Sequence, residues 1–170
     1  MPDENAIDLL QITEHCGCGA KLSATGLGNL PWGMARRPDP DPVIGPETLD
    51  DGAVYRLRDD CFVVRTAEFF PPVASDPNVF GRIAACNALR DVCAMGGRPL
   101  CALALLCYPA RRLGLEIARR ILAGAAEKLD EAGASPVGGH TLAAHLRCSQ
   151  QCEAHERGWR ITLPRPGGQR

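Results

Sequence analysis

Hydrophobic positions divide the middle of the chain into strand-like and helix-like segments. β-Branched and aromatic residues over 51–57 and 61–70 predict two strands, with a polar turn at 58–60 between them. The continuous apolar run at 99–108, PLCALALLCY, is bounded by glycine and proline and favours a buried strand. Residues 135–137 predict a short last strand that leads into a glycine-rich turn.

Two segments carry the spacing of helices. Residues 115–132 repeat apolar side chains at helical intervals and are closed by Gly133. The sequence GRIAACNALRDVCAMGG, at 81–97, predicts a helix that starts after Asp76-Pro77 and stops at the Gly-Gly pair. The resulting β-β-α-β-α-β order is ferredoxin-like and predicts an α/β fold of the α+β kind, with helices layered on a sheet.

The two ends of the chain lack this pattern. Residues 1–45 have no sustained periodicity and become proline-rich at 37–42, which predicts a mobile N-terminal segment before a domain at 46–142. Residues 143–170 carry scattered polar side chains and predict a disordered tail outside the domain. Since the pattern is lost abruptly, we take a frameshift near codon 142 as a hypothesis for its origin.

Composition argues against several classes of protein. A formal net charge of −1 gives no bulk electrostatic reason to bind nucleic acid or a membrane surface. No apolar run approaches the roughly 18 residues that span a bilayer. The start MPDENAIDLL lacks the basic residues and apolar stretch of a signal peptide, so we expect a cytoplasmic protein. Four of the nine cysteines lie inside apolar elements and are expected to be small core residues: Cys86, Cys93, Cys101 and Cys107.

Polar residues on the helix at 81–97 are the first candidates for chemistry. Asn87 and Asp91 lie one turn apart on one face, and the alternative is a polar face turned to water. An acidic segment at 47–52 and a glycine-histidine turn at 138–141 favour a site. Carboxylates on separate elements can converge on a divalent cation, and glycine-rich turns let backbone N–H groups approach phosphate.

Cysteines suggest two further possibilities. Cys18 and Lys21 lie three residues apart, and a nearby ammonium favours the nucleophilic thiolate; the alternative is an exposed thiol with no task. Near the C-terminus, Cys148, Cys152 and His155 have C-x3-C-x2-H spacing. A closed zinc site needs four ligands, and His145 is a weak fourth, so zinc is not favoured.

In their order along the chain, these motifs resemble the ATP-binding half of the selenophosphate synthetase (selenide, water dikinase) family. The resemblance covers about residues 7–142 and is most specific in the phrase GRIA-x-x-NAL-x-D-x-x-AMGG. The pieces that carry it are CGAK at 18–21, ETLDDGAV at 47–54, TAEFF at 66–70, DPNVFGRIA at 76–84, NALRDVCAMGG at 87–97 and GGHT at 138–141.

The resemblance implies an activity, a fold and a partner. The family makes selenophosphate from selenide, ATP and water, and releases AMP and phosphate with the help of Mg²⁺. Its members have the fold of the aminoimidazole-ribonucleotide synthetase-like superfamily, of which this chain would be a truncated N-terminal domain. Because the N-terminal halves of two subunits pair in the family, a homodimer is implied, with selenide and ATP as substrates.

The resemblance also implies roles for single residues. Cys18 and Lys21 match the catalytic cysteine and lysine, and Asp51 and Asp91 match metal-binding aspartates. The resemblance implies that nine residues hold the nucleotide: Lys21, Glu47, Thr48, Leu49, Glu68, Asp91, Gly138, Gly139 and His140. The last three would contact the nucleotide from across the subunit interface.

Three departures from the family pattern bear on activity. Ala20 stands where the family often has a second cysteine, Glu68 stands where it has an aspartate, and the C-terminal half with a further metal-binding aspartate is missing. Two alternatives stay open. One is another ATP-binding enzyme of the superfamily, such as thiamine-monophosphate kinase, hydrogenase maturation factor or the purine enzyme, which would not need the pair Cys18 and Lys21. The other is a non-catalytic fragment that only dimerises.

Overall fold

A computed structural model of the chain describes residues 8–12, 40–45, 48 and 50–143. From the first long strand onward, the elements follow the predicted β-β-α-β-α-β order, and the α+β fold class is confirmed. The elements are a 3₁₀ helix at Leu9–Ile12, β1 at Pro42–Ile44, β2 at Ala53–Arg58, β3 at Cys61–Arg65, α1 at Pro77–Ala94, β4 at Cys101–Tyr108, α2 at Leu115–Glu131 and β5 at Ser135–Ala143.

The strands form two sheets where the sequence predicted one. Strands β1, β2 and β3 make an antiparallel sheet in that order, whereas β4 and β5 pair in parallel. A parallel pair needs a long crossover connection, and α2 supplies it. Neither α1 nor α2 is long and apolar enough to cross a membrane.

Helix α1 has the start and the end that its sequence predicts. Asp76 caps it, since one carboxylate oxygen accepts the N–H of Val79 at 2.9 Å, and Pro77 opens the first turn. The helix ends just before Gly96, whose φ of 74° lies in the left-handed region that glycine adopts at little cost.

The two helices pack with their backbones in contact. A Cβ added at Gly81 would lie 1.9 Å from the carbonyl oxygen of Ile121, and one added at Gly124 would lie 2.1 Å from that of Asn78. Only glycine permits this approach. It places α1 and α2 side by side, and it fixes the position of the α1 face that carries the polar residues.

The main core lies beside α2 and receives a side chain from the N-terminal segment. Leu9 is 1% exposed, and its N–H donates to the carbonyl of Ser75. The other buried members are Phe80, Tyr108, Leu113, Ile117 and Ile121. Within the segment predicted to be mobile, the structure describes residues 8–12 and 40–45, where Leu9 is buried and β1 pairs with β2. A single buried leucine leaves no periodicity in the sequence.

Strand β5 continues through the glycine pair that the sequence predicted as a turn. Ala102 pairs with Pro136 and Ala104 with Gly139, so β5 has one residue more than β4 between these pairs. Gly138 takes a φ of 131° there, and a Cβ at Gly139 would lie 2.1 Å from the carbonyl oxygen of Ala104. The predicted turn is a bulge that lets two strands approach closely.

Four cysteines lie on the surface, contrary to the expectation that they fill the core. Cys86 and Cys93 of α1 and Cys101 and Cys107 of β4 are exposed free thiols. Their elements are apolar on more than one face, and in the described chain one face of each stays uncovered. Apolar neighbours in the sequence therefore did not predict the exposure of these four cysteines correctly.

Candidate functional site

Asp91 is the one buried charged residue in the described part of the chain, at 2% exposure. It lies in the last turn of α1. Its Oδ2 accepts the hydroxyl of Thr66 at 3.4 Å, and its Oδ1 accepts both Nη2 and Nε of Arg90, at 2.9 and 3.2 Å. A buried carboxylate needs such partners, because its charge is costly to remove from water. The alternative of a water-facing polar side chain is therefore excluded at Asp91.

A second polar pair lies one helical turn earlier. The side-chain amide of Asn87 donates to Glu68 Oε2 at 3.0 Å. Thr66 and Glu68 both belong to the segment that leaves β3, so this segment runs along the polar face of α1. The structure thus places Glu68 and Asp91 along the same face of α1, and their assignment to a nucleotide and metal site stays a prediction.

Asp51 is exposed and lies two residues before the start of β2. The register pairs Ala53 with Arg65, so Asp51 lies at the end of the sheet where Thr66 leaves β3. A Cβ at Gly52 would lie 3.4 Å from Cγ of Met95, the residue that follows α1. The chain segments that carry the two predicted metal-binding aspartates therefore meet at the same end of the domain.

Gly138, Gly139 and His140 lie on the other sheet. They are exposed in the middle of β5, where Gly139 and His140 pair with β4 and Gly138 lies in the bulge. The resemblance assigns them to the nucleotide site of a second subunit, and that assignment stays a prediction.

Several predicted residues fall outside the described part of the chain. They are Cys18, Lys21, Glu47 and Leu49, together with the weak zinc candidates His145, Cys148, Cys152 and His155. Thr48 is described: it is exposed, and its hydroxyl donates to the carbonyl of Gly45 at 3.1 Å.

Sequence reasoning missed the two partners of Asp91. Thr66 lies in the TAEFF motif, directly after the end of β3. A hydroxyl at that position was the feature from which the sequence could have predicted a partner for Asp91. Arg90 had no such signal, because adjacent residues on a helix point in different directions and spacing rules do not pair them.

The side chains of the two predicted metal-binding aspartates fit Mg²⁺ in the chemistry of their donor atoms. Asp51 and Asp91 offer the hard carboxylate oxygens that Mg²⁺ prefers. In the described residues no group of three or more His, Cys, Asp or Glu is placed to hold a metal. Mg²⁺ is commonly held by one or two carboxylates together with substrate phosphates, so a larger protein cluster is not required.

Comparison with known proteins identifies the family. Residues 49–152, more than half of the chain, match the N-terminal domain of AIR synthase related protein. The chain belongs to this family. The match includes the first residues of the segment that the sequence predicted as a non-family tail; beyond Ala143 that segment lies outside the described residues.

Curated relatives named "Selenide, water dikinase" are similar to the same region. The one from Porphyromonas gingivalis is 45% identical over 140 residues, which is 82% of this chain and 40% of the relative. That from Myxococcus xanthus is 46% identical over 145 residues, 84% of this chain and 41% of the relative. That from Desulfitobacterium hafniense is 49% identical over 126 residues, which is 74% of this chain and 37% of the relative.

These similarities confirm the resemblance on which the sequence interpretation depended. They also give its extent, since the chain spans about two fifths of the length of the curated relatives it matches.

Proposed function

We propose that this domain binds ATP together with Mg²⁺ and provides the nucleotide-binding part of selenophosphate synthesis. In that reaction selenide, ATP and water give selenophosphate, AMP and phosphate. The observation that carries the proposal is Asp91, a buried carboxylate beside the segments of Glu68 and Asp51 in a chain whose relatives are named selenide, water dikinase.

Asp91 and Asp51 would hold Mg²⁺ against the phosphates. When bound, the cation would neutralise phosphate charge that otherwise repels a nucleophile. Asp91 suits this task because its burial and its contacts with Arg90 and Thr66 hold the carboxylate in place before any ligand arrives. Glu68, held by Asn87 one turn away, is assigned to the nucleotide.

Cys18 and Lys21 are proposed to carry the chemical step. A lysine ammonium stabilises charge on transferring phosphoryl oxygens. A cysteine thiolate is a soft nucleophile, which suits the handling of selenide. The support for both residues is their spacing in the sequence and the family resemblance.

A homodimer would complete the site and cover an apolar surface. On the outer face of β4, Leu103 is 63% exposed and Leu105 is 52% exposed. Residues of a parallel sheet are normally covered on both faces. Pairing two copies through this face would bury these leucines, and it would give Gly138, Gly139 and His140 a role at the nucleotide of the second subunit.

The metal assignment is tested by calorimetric titration of the full chain with Mg-ATP. Asp91→Asn keeps the size of the side chain and removes its charge, so we expect affinity to fall at least about tenfold. Asp130→Asn, an exposed aspartate at the end of α2, is the matched control and should bind as the wild type does. Equal affinity in wild type and Asp91→Asn would contradict the proposal.

The chemical assignment needs a chain that includes a C-terminal half, which the Myxococcus xanthus relative can supply by fusion. Selenide-dependent AMP formation should be lost in Cys18→Ser and in Lys21→Ala. Cys93→Ser, an exposed cysteine on α1, controls for general thiol effects. Full activity in Cys18→Ser would remove that cysteine from the mechanism.

A further inference from the structure

Arg90 holds the same carboxylate that the proposed function assigns to Mg²⁺. Two of its guanidinium nitrogens contact a single oxygen of Asp91, at 2.9 and 3.2 Å. The only other side-chain hydrogen bond to Asp91 in the described chain comes from Thr66 at 3.4 Å, which is long for an O–H···O bond. Arg90 is therefore the main counter-charge of a buried anion.

The geometry of this pair is unusual for a helix. Side chains of adjacent helical residues point about 100° apart, so Arg90 has to bend back across the helix surface to reach its neighbour. The Arg90 side chain is 66% exposed, whereas that of Asp91 is 3% exposed. The guanidinium thus covers the carboxylate from the solvent side.

A guanidinium and a divalent cation cannot occupy this carboxylate at low cost together. At close range, a single positive charge and a double positive charge repel each other even in water. Arg90 has room to withdraw, because its side chain also lines an open groove of about 440 Å³ along α1, beside Cys86 and Asn87.

We propose that Arg90 is a positioning residue that neutralises Asp91 while no metal is bound and is displaced when Mg²⁺ arrives. It holds the buried carboxylate in place, and it lowers the affinity of the free domain for Mg²⁺. Metal therefore binds well only when nucleotide phosphates add their own attraction. This inference rests on the proposed function, in which Asp91 is a metal-binding residue.

The test compares variants of the full chain in titrations with MgCl₂ alone, followed by thermal unfolding. Arg90→Gln should bind Mg²⁺ on the order of tenfold more tightly than the wild type, because the repulsion is gone. Without metal it should unfold at a lower temperature, and Mg²⁺ should restore the loss. Arg90→Lys keeps the charge and should bind Mg²⁺ as weakly as the wild type.

Arg82→Gln is the matched control. Arg82 lies two turns earlier on α1, lines the same groove and pairs with Glu127 at 3.7 Å, so its removal changes net charge equally without touching Asp91. We expect its Mg²⁺ affinity to stay within about twofold of the wild type, since the charge removed lies farther from the metal. In NMR spectra of the wild type, the Nε–H signal of Arg90 should shift when Mg²⁺ is added.

Mg²⁺ affinity in Arg90→Gln that is equal to or weaker than wild type would overturn the inference. If that variant fails to fold, recovery of the fold on adding Mg²⁺ supports the inference and no recovery overturns it. Asp91→Asn separates this result from the proposed function. Loss of Mg²⁺ binding in Asp91→Asn with no effect of Arg90→Gln leaves the proposed site intact, whereas Mg²⁺ binding that survives Asp91→Asn removes both.

Discussion

The helix pair and the parallel sheet of β4 and β5 differ in how closely their apolar surfaces are packed. The helices bring their backbones together at Gly81 and Gly124, and α2 buries Ile117 completely. The sheet has one covered face, with Tyr108 and Leu106 turned toward the core, and one bare face with Leu103 and Leu105. The contact between the helices is closely packed, whereas in the described residues the outer face of the sheet stays exposed.

The difference indicates which apolar surface stays exposed in the described part of the chain. Strand β4 is apolar at nearly every position, as strands covered on both faces are. The polar face of α1, by contrast, already has its partners at Thr66 and Glu68. Folding of the domain and completion of its site therefore depend on different surfaces, and variants can separate them.

The largest effect is expected at the helix contact. Gly81→Ala adds a Cβ that would lie 1.9 Å from the Ile121 carbonyl oxygen, and backbone cannot give way as a side chain can. Alanine favours a helix by about 1 kcal/mol, but the clash should outweigh this and cost about 3 kcal/mol net, measured by urea unfolding.

Gly133→Ala is the matched control for that substitution. Gly133 has a φ of 66° but no atom within 4 Å of an added Cβ, so the cost should be about 1 kcal/mol, from backbone strain alone. Equal losses in the two variants would show that the helices can separate freely.

The next effect is expected on the bare sheet. Leu105→Glu places a charge on the outer face of β4 and should weaken a dimer formed there at least about thirtyfold, with little change in monomer stability. Sedimentation velocity over a dilution series measures this. Leu115→Glu, at a leucine of α2 that is also exposed, should leave association unchanged. A wild-type chain that stays monomeric would show that this face is covered in another way.

A smaller effect is expected where the sheet joins the helix layer. The hydroxyl of Tyr108 donates to the carbonyl of Gly114, the residue that caps α2. Tyr108→Phe removes this bond from a buried position and should cost about 1 kcal/mol in chemical unfolding. If the variant is as stable as the wild type, a water molecule donates to the carbonyl of Gly114 in place of the tyrosine hydroxyl.

The smallest effect concerns the N-terminal 3₁₀ helix that adds Leu9 to the core. Hydrogen bonds from the Ser75 side chain and from the Leu10 backbone hold the pKa of Asp8 below its usual 3.8. The ionised form is therefore the stabilising one, present above that value and lost as pH falls through the lowered pKa. Thermal unfolding should separate wild type from Asp8→Asn near neutral pH, and the difference should vanish in acid.

Much of this domain was predictable from local sequence. The start of α1 followed from Asp76-Pro77 and its end from Gly96-Gly97, since caps and glycines act through neighbouring residues. Asn87 and Asp91 lie on the same face of α1, because helical spacing alone sets it, whereas the functional role of that face stays a prediction. The assignments of Cys18 and Lys21 stay predictions, since these residues lie outside the described chain.

Other features depended on contacts between distant residues. Periodicity could not show that Leu9 enters the core, that Gly138 forms a bulge, or that the strands split into two sheets. The decisive example is Asp91: its spacing on the helix follows from sequence, but its burial and its two partners do not. Burial depends on which segment crosses the helix, and the bond from Arg90 depends on a side chain that bends toward its neighbour. Local propensity sets elements and faces, whereas charge environments arise only when separate elements meet.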